Sequence, residues 1–227
     1  MARLKTSKGF LEYDNQILYF GNKVMNTEKM LENLQIFTVY LDKIGINWGP
    51  AFGTLIGIIR NDDFQPWKPV FDIYILKEDE ERFKDILWLL MDVGFKLVRY
   101  ERRGRYYLER NGEIFKIFVL QKICTELRHT GSTDFIHEKY LQNTVKWEFK
   151  GLELNVPQEV DDYLTFQYGD WVVPKQTVWY KQNFVARTYS KFKFWCMDHV
   201  PDSVYYYYTF IRRQRDFNIF KEKCLKA

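Results

Sequence analysis

Apolar residues recur at helical spacing in two stretches of the first half of the chain. The first stretch follows Asn26-Thr27-Glu28, which is typical of a helix start, and it stops at Gly45. Its apolar residues are Met30, Leu31, Leu34, Phe37 and Leu41. The second stretch runs from Lys77 to Asp92 and is followed by Gly94. Because apolar residues three and four positions apart share one face of a helix, both stretches predict amphipathic helices.

Short β-rich runs lie between and after these helices. The run from Phe71 to Leu76 predicts a strand with its apolar residues on one face and Asp72 and Tyr74 on the other. Residues 95–101 predict a second strand. The runs YYLER and EIFKIFVL are joined by Asn111-Gly112, which is the strongest short signal for a β-hairpin. A further strand pair is expected over residues 145–157.

Helices are expected in the second half of the chain as well. Pro157 is predicted to open a helix that continues to Tyr168 and ends at Gly169. Asp202 or Ser203 could cap a last helix, which contains four consecutive tyrosines and several arginines. That helix would either pack against the body of the protein with its arginines in water, or offer an aromatic, basic surface to an acceptor glycan or a membrane interface. The predicted fold class is α/β (α+β), with a mixed sheet flanked by helices.

Composition narrows the classes of function. The 227 residues are 46% hydrophobic and 19% aromatic, which is enough for one sizeable core and excludes a disordered chain. The net charge of +4 is too small for a typical nucleic-acid binder, whereas an anionic small molecule or phosphorylated sugar fits it. The three cysteines show no C-x-x-C spacing, and neither a signal peptide nor a transmembrane segment is expected. We expect a cytoplasmic protein, and a peripheral position at a membrane stays open.

One stretch, GTLIGIIRNDDFQPWKPVFDIYIL, carries the clearest candidate chemistry. Gly53 and Thr54 would form a turn at a helix N-terminus, where backbone N–H groups and a hydroxyl can contact phosphate oxygens. Asp72 on the following strand could hold a divalent metal ion at the same cleft. Arg60 is near enough in sequence to neutralise a phosphate. The combination indicates phosphoryl-transfer chemistry.

This stretch resembles the central motif of the LicD/fukutin family, which runs approximately GTLLG-x-x-R-x-x-x-F-x-P-W-D-D-D-I-D-I. The matching residues are Gly53, Thr54, Leu55, Gly57, Arg60, Phe64, Pro66, Trp67, Asp72 and Ile73. A second signature of that family is similar to VPQEVDDYLTFQYGDWVVP, from Val156 to Pro174. Two motifs in the family's order make the resemblance fairly specific.

The resemblance implies a nucleotidyltransferase-like domain over residues 1–180, with a C-terminal extension over 181–227 packed on it. It implies transfer of a substituted phosphate, such as phosphocholine, from a CDP-linked donor to a sugar or cell-surface glycan, as in lipopolysaccharide or capsule biosynthesis. Gly53 and Thr54 would border the donor phosphates, and Asp72 would bind Mg²⁺ or Mn²⁺. Arg60 would support either the phosphate or the motif itself. Homo- or hetero-oligomers are compatible with this assignment, and a nucleic-acid partner is not expected.

The chain departs from the family pattern at the metal ligands. Lys68, Pro69 and Val70 replace the aspartate triplet, and Lys116 stands where a third carboxylate is expected. Asp62, Asp63 and Glu109 are possible substitute ligands, although the first two are expected to be solvated loop residues.

Lys116 is either a phosphate-binding point charge or an edge-strand lysine in water. Two hypotheses therefore stay open. The chain is a transferase that depends on Asp72, or it is a non-catalytic protein of the same fold that binds a nucleotide or glycan or partners an active relative.

Overall fold

A mixed β-sheet with helices on both faces forms the centre of the fold, which confirms the predicted α+β class. The computed structural model describes residues 1–18, 23–65, 67–131, 134–174 and 184–224. The strands are β1 (Ala2–Thr6), β2 (Gly9–Tyr13), β3 (Trp48–Pro50), β4 (Val70–Leu76), β5 (Lys96–Glu101), β6 (Arg105–Arg110), β7 (Glu113–Lys122), β8 (Leu127–His129), β9 (Phe135–His137), β10 (Thr144–Phe149) and β11 (Leu152–Pro157). The helices are α1 (Thr27–Ile44), α2 (Phe52–Asn61), α3 (Glu80–Asp92), α4 (Glu138–Gln142), α5 (Val160–Tyr168), α6 (Phe184–His199) and α7 (Asp202–Cys224).

The order of strands across the main sheet is β3-β4-β7-β6-β5, and β8 and β9 continue from β7. Strands β4 and β7 run parallel, while the other neighbours in this sheet are antiparallel. The register places Asp72 beside Lys116, and Lys116 beside Tyr107. These three residues therefore form one row across three adjacent strands.

One face of the sheet carries the main hydrophobic core. The apolar faces of α1 and α3 pack there against Phe71, Ile73, Phe115 and Ile117, all fully buried. The rings of Phe37 and Phe115 stack with centroids 4.9 Å apart. The predicted alternation along β4 is thereby confirmed, because its apolar side chains enter this core and leave Asp72 and Tyr74 on the opposite face.

The opposite face carries a smaller apolar cluster, which positions the candidate site. Tyr74 and Phe118 from the sheet pack there with residues of α2, α4 and α5. Asp72 and Lys116 lie on the same strands two residues earlier, so they share this face. The helix α2 covers part of it.

Local sequence signals account for several element ends. The side chain of Asn26 accepts a hydrogen bond from the backbone N–H of Lys29, and Gly45 ends α1 in the left-handed conformation, with φ 66°. Asn111 and Gly112 take φ values of 55° and 81°, which suit the two-residue turn between β6 and β7. The predicted helix start, helix end and hairpin are confirmed.

One predicted boundary is wrong. Pro157 ends β11, where it pairs with Thr144, and α5 begins at Val160 instead. The proline is compatible with the last position of a strand in a two-stranded sheet, where its missing N–H matters least. The hairpin β1–β2, the strands β8 and β9 and the helices α4 and α6 were not predicted.

The predicted domain boundary between residues 180 and 181, and Pro66 of the first motif, lie outside the described residues. Within the described part of the chain, no helix is both long enough and apolar enough to cross a lipid bilayer.

Candidate functional site

Asp72 lies in the middle of β4 and is held by the start of α2. Its backbone N–H donates to Thr54 Oγ1 at 2.8 Å, and its carbonyl accepts the N–H of Ala51 at 2.9 Å. The residue is 6% exposed. Gly53, Thr54 and Asp72 are thus brought together, as the motif predicted. The hydroxyl oxygen of Thr54 already accepts a hydrogen bond from the protein backbone.

Lys68 stands where the resembled motif has the first aspartate of its triplet. Its ammonium group binds Asp72 Oδ2 and lies 3.1 Å from Thr54 Oγ1. A Cβ atom on residue 53 would lie 3.3 Å from Lys68 Nζ and 2.8 Å from Gln65 Oε1, so a larger residue at position 53 would displace the ends of these two flexible side chains. Burial lowers the pKa of Lys68, while the charge of Asp72 raises it. The contact between Lys68 and Asp72 was not predicted, and its one signal in the sequence is that Lys68 stands four residues before Asp72.

Lys116 is partly buried and lies on an interior strand of the sheet, because β7 has β4 on one side and β6 on the other. Its ammonium group lies 4.6 Å from the ring centroid of Phe118 and 5.7 Å from that of Tyr107. Burial lowers the pKa of Lys116 to about 8, against the raising effect of Asp72. The reading of Lys116 as an edge-strand lysine in water is therefore wrong. No hydrogen-bond acceptor for this ammonium is present among the described residues.

Beyond Lys116 lies a buried carboxylate, Glu101, which is surrounded by several arginines. Glu101 Oε2 is 2.5 Å from Arg103 Nε and 4.0 Å from Arg105 Nη1, and Glu101 Oε1 accepts the hydroxyl proton of Tyr107 at 3.2 Å. Burial alone would raise the pKa of Glu101, but the charges of Arg103 and Arg105 hold it at about 2. Glu101 is therefore neutralised by these arginines and is not a further metal ligand beside Asp72.

Arg60 connects the two motifs. Its Nη1 donates to the backbone carbonyl of Trp171 at 3.1 Å, which ties the end of α2 to the segment after α5. Its Nη2 is buried without a hydrogen-bond partner among the described residues. Of the two predicted roles, support of the motif is the one for which a contact is present.

The three substitute acids lie away from Asp72. Asp62 is the C-terminal cap of α2, and Asp63 forms an ion pair with Lys150 at 2.9 Å. The side chain of Glu109 accepts the N–H of Gly112 at 2.7 Å in the β6–β7 turn. In the described part of the chain, none of these three carboxylates forms a hydrogen bond or an ion pair with Asp72, Lys68 or Lys116.

The donor set around Asp72 does not fit Mg²⁺ or Mn²⁺. Such ions prefer octahedral coordination by several oxygen atoms. Among the described residues, no three His, Cys, Asp or Glu side chains are close enough together to hold a metal ion. One oxygen of Asp72 is taken by Lys68, whose positive charge opposes a second cation, and Val70 and Lys116 replace the other expected ligands. The remaining oxygen, Asp72 Oδ1, is buried with no hydrogen-bond partner in the described part of the chain.

Comparisons with known sequences support a distant relation to a phosphotransferase. No family model matches the chain. It is 27% identical over 106 residues to the lipopolysaccharide cholinephosphotransferase LicD of Haemophilus influenzae, which is 47% of this chain and 39% of that enzyme. Uncharacterized proteins of Rickettsia typhi and Rickettsia prowazekii are 27% and 26% identical over 58% and 66% of this chain. The matched regions span 42% and 57% of those two relatives, so the chain matches about half of their length.

Similar solved structures include an antibiotic adenylyltransferase and an antibiotic-resistance factor. The lincosamide adenylyltransferase LnuA, bound to lincomycin, has a TM-score of 0.44 at 10% identity and covers 74% of this chain and 96% of its own. The antibiotic-resistance factor ANT(2'')-Ia has a TM-score of 0.48 at 10% identity and covers 88% of this chain and 100% of its own. Nothing about substrates or chemistry in this chain follows from scores at this level.

Proposed function

We propose that this protein binds the phosphate groups of a CDP-linked ligand at the Asp72 site without a metal ion, as a non-catalytic relative of LicD-type phosphotransferases. The observation that carries the proposal is that two partly buried lysines, Lys68 and Lys116, accompany the one carboxylate at this site, Asp72. With both lysines protonated, the group has one positive charge in excess. A phosphate is the complementary ligand.

Lys68 supplies the first part of this phosphate site. An ammonium group has three hydrogen-bond donors, and Lys68 uses two of them on Asp72 and Thr54. The third stays available to a ligand oxygen. Because Asp72 and Thr54 fix its position, Lys68 would act as a preorganised cation where a metal-dependent relative has its metal ion.

Lys116 supplies the second part. Its ammonium group has aromatic rings beneath it and no acceptor among the described residues, so all three donors stay available. The pKa of about 8 leaves it mostly protonated at pH 7, and a bound phosphate would raise that pKa further. Lysine commonly binds phosphate as a point charge in this manner.

The ligand class comes from the sequence resemblance. The motif residues Gly53, Thr54, Arg60 and Asp72 agree with a family associated with CDP-linked donors, and the distant relation to the Haemophilus enzyme agrees with it. We propose phosphocholine as the substituent of this ligand. A sugar or glycan acceptor is part of the same proposal.

Isothermal titration of CDP and CDP-choline, with either EDTA or Mn²⁺ present, tests the proposal. We expect the same affinity in both conditions, and a loss of about tenfold or more in Lys116→Met, because a hydrogen bond to a charged group is removed. Lys122→Met on the same strand is the matched control, since the Lys122 side chain is 45% exposed and pairs with Glu138. Binding that requires Mn²⁺, or that Lys116→Met leaves unchanged, would overturn the metal-free site.

A second candidate function is transfer of the substituted phosphate itself. The unpartnered Oδ1 of Asp72 favours it, because this oxygen would accept the proton of an acceptor hydroxyl as the new O–P bond forms and CMP leaves. Turnover of CDP-choline by the purified chain, abolished in an Asp72→Asn variant whose folded fraction is shown to be unchanged, would establish this candidate. Binding without turnover would leave the non-catalytic assignment.

A further inference from the structure

A cavity of about 500 Å³ lies apart from the Asp72 site, between the helices α6 and α7 and the edge of the sheet. None of Thr54, Lys68, Asp72 and Lys116 lines it. Its size is within the range of small-molecule sites, about 300–1,000 Å³. The cavity therefore requires an explanation that the proposed nucleotide site does not provide.

Two residues that line this cavity have a buried polar atom without a hydrogen-bond partner among the described residues. Tyr205 is 4% exposed, and its hydroxyl has no hydrogen-bond partner among the described residues. Arg213 donates through Nη2 to Gln121 Oε1 at 2.8 Å, but its Nε is buried and likewise unpartnered. Leaving such donors unsatisfied is costly, and native proteins rarely do so. Since both residues line the cavity, a ligand that enters it and brings an acceptor would satisfy these donors.

The charges around the cavity favour an anionic acceptor. Most of the arginines that line it are neutralised by carboxylates: Arg103 by Glu101, Arg102 by Asp202 and Arg212 by Asp216. Arg213 and Lys193 also line the cavity, and neither forms an ion pair with a carboxylate in the described part of the chain. The cavity therefore has positive charge in excess, close to the unpartnered donors.

The remaining lining is apolar and continues to the protein surface. Phe192 and Tyr189 from α6 and Tyr206 and Tyr208 from α7 line the cavity, and these residues are between 57% and 67% exposed. Exposed aromatic side chains grouped in this manner are typical of binding sites. They form an apolar path from solvent to the buried Tyr205.

We propose that this cavity binds an amphipathic anion, an alkyl or acyl chain that carries a phosphate or carboxylate group. The anionic group accepts hydrogen bonds from Tyr205 and Arg213, and the chain lies along the aromatic side chains. The site goes beyond the proposed nucleotide site, because the two share no residue.

Isothermal titration of dodecyl phosphate below its critical micelle concentration tests this site. Dodecanol has the chain without the charge, and inorganic phosphate has the charge without the chain, so both are expected to bind far more weakly. In Tyr205→Phe the affinity for dodecyl phosphate should fall about tenfold, as expected for a lost hydrogen bond to a charged group. The variant should fold normally, since the hydroxyl removed has no partner. Arg213→Gln should weaken binding at least as much.

Matched controls lie on the same helix. Tyr207→Phe and Arg215→Gln change residues that do not line the cavity, and these side chains are 69% and 67% exposed. Both variants should bind dodecyl phosphate like the unaltered protein. Absence of dodecyl phosphate binding would overturn the proposal, as would equal binding of dodecanol or of inorganic phosphate. Unchanged affinity in Tyr205→Phe would overturn it too, whatever the stability of Arg213→Gln.

Discussion

Replacement of Lys68 by methionine should destabilise the protein by about 3 kcal/mol. The side chains of Lys68 and Asp72 are only 12% and 9% exposed, so the substitution leaves the Asp72 carboxylate buried beside an apolar group. Removal of one partner from a buried ion pair costs about 3–5 kcal/mol. Lys116 on the neighbouring strand still offers a positive charge to Asp72, which is why the lower end of that range is expected.

Urea unfolding, followed by circular dichroism, measures this loss as a shift in midpoint at constant m-value. Lys150→Met is the matched control, because Lys150 and Asp63 form an ion pair at the surface, with side chains 33% and 53% exposed. Such a pair contributes at most about 1 kcal/mol. The double variant Lys68→Met, Asp72→Asn should recover part of the loss, since it leaves no unpaired charge. A loss in Lys68→Met no larger than in Lys150→Met would refute the buried pair.

Two further predictions concern the charges of the site. The pKa of Lys116 is about 8 when folded, below its usual 10.5, so this group binds fewer protons in the folded protein between these values, and its contribution to stability should rise with pH from 8 to 10 by at most about 1.4 kcal/mol for each pH unit. Urea unfolding between pH 7.5 and 9.5 should show this rise as the difference between the unaltered protein and Lys116→Met, because the other titrating groups are common to both. The same slope in both proteins would contradict the lowered pKa of this ammonium. The double variant Lys68→Asp, Val70→Asp returns carboxylates next to Asp72, and Mn²⁺ at 100 times its dissociation constant should then stabilise it by about 2.7 kcal/mol. Thermal melting with and without Mn²⁺ checks this, and an equal shift in the unaltered protein would contradict it.

The parts of the fold that could be predicted from the sequence are those set by local signals. The alternation along β4, the cap at Asn26 and the Asn111-Gly112 turn each depend on a few consecutive residues, and the structure confirms them. The hairpin β1–β2 and the helix α6 were missed, because neither has a strong pattern of its own. Contacts distant in sequence hold them in place, such as Ser7 on Asp85 and Asp198 near Arg99. Tertiary contacts of this kind leave little trace in periodicity.

Part of the candidate site could likewise be predicted from the sequence, and part of it could not. The motif predicted that Gly53, Thr54 and Asp72 lie together, and the structure places them together. The position of the Lys68 ammonium could not be predicted, because it depends on how the loop before β4 folds back over Gly53. The burial of Lys116 depends on the sheet order, since β7 became an interior strand only through its parallel pairing with β4.

Asp72 has a different physical role in this arrangement from the role of a carboxylate in a metal site. A cleft that lost two carboxylates and kept its metal ion would have an excess of positive charge. Here Lys68, which stands where the resembled motif has an aspartate, binds Asp72, so Asp72 is the counter-ion of Lys68. Substitution of Asp72 by asparagine would then leave two neighbouring ammonium groups without a carboxylate, and should lower stability as well as any activity. A loss of activity in that variant therefore identifies a catalytic role only if the folded fraction is measured beside it.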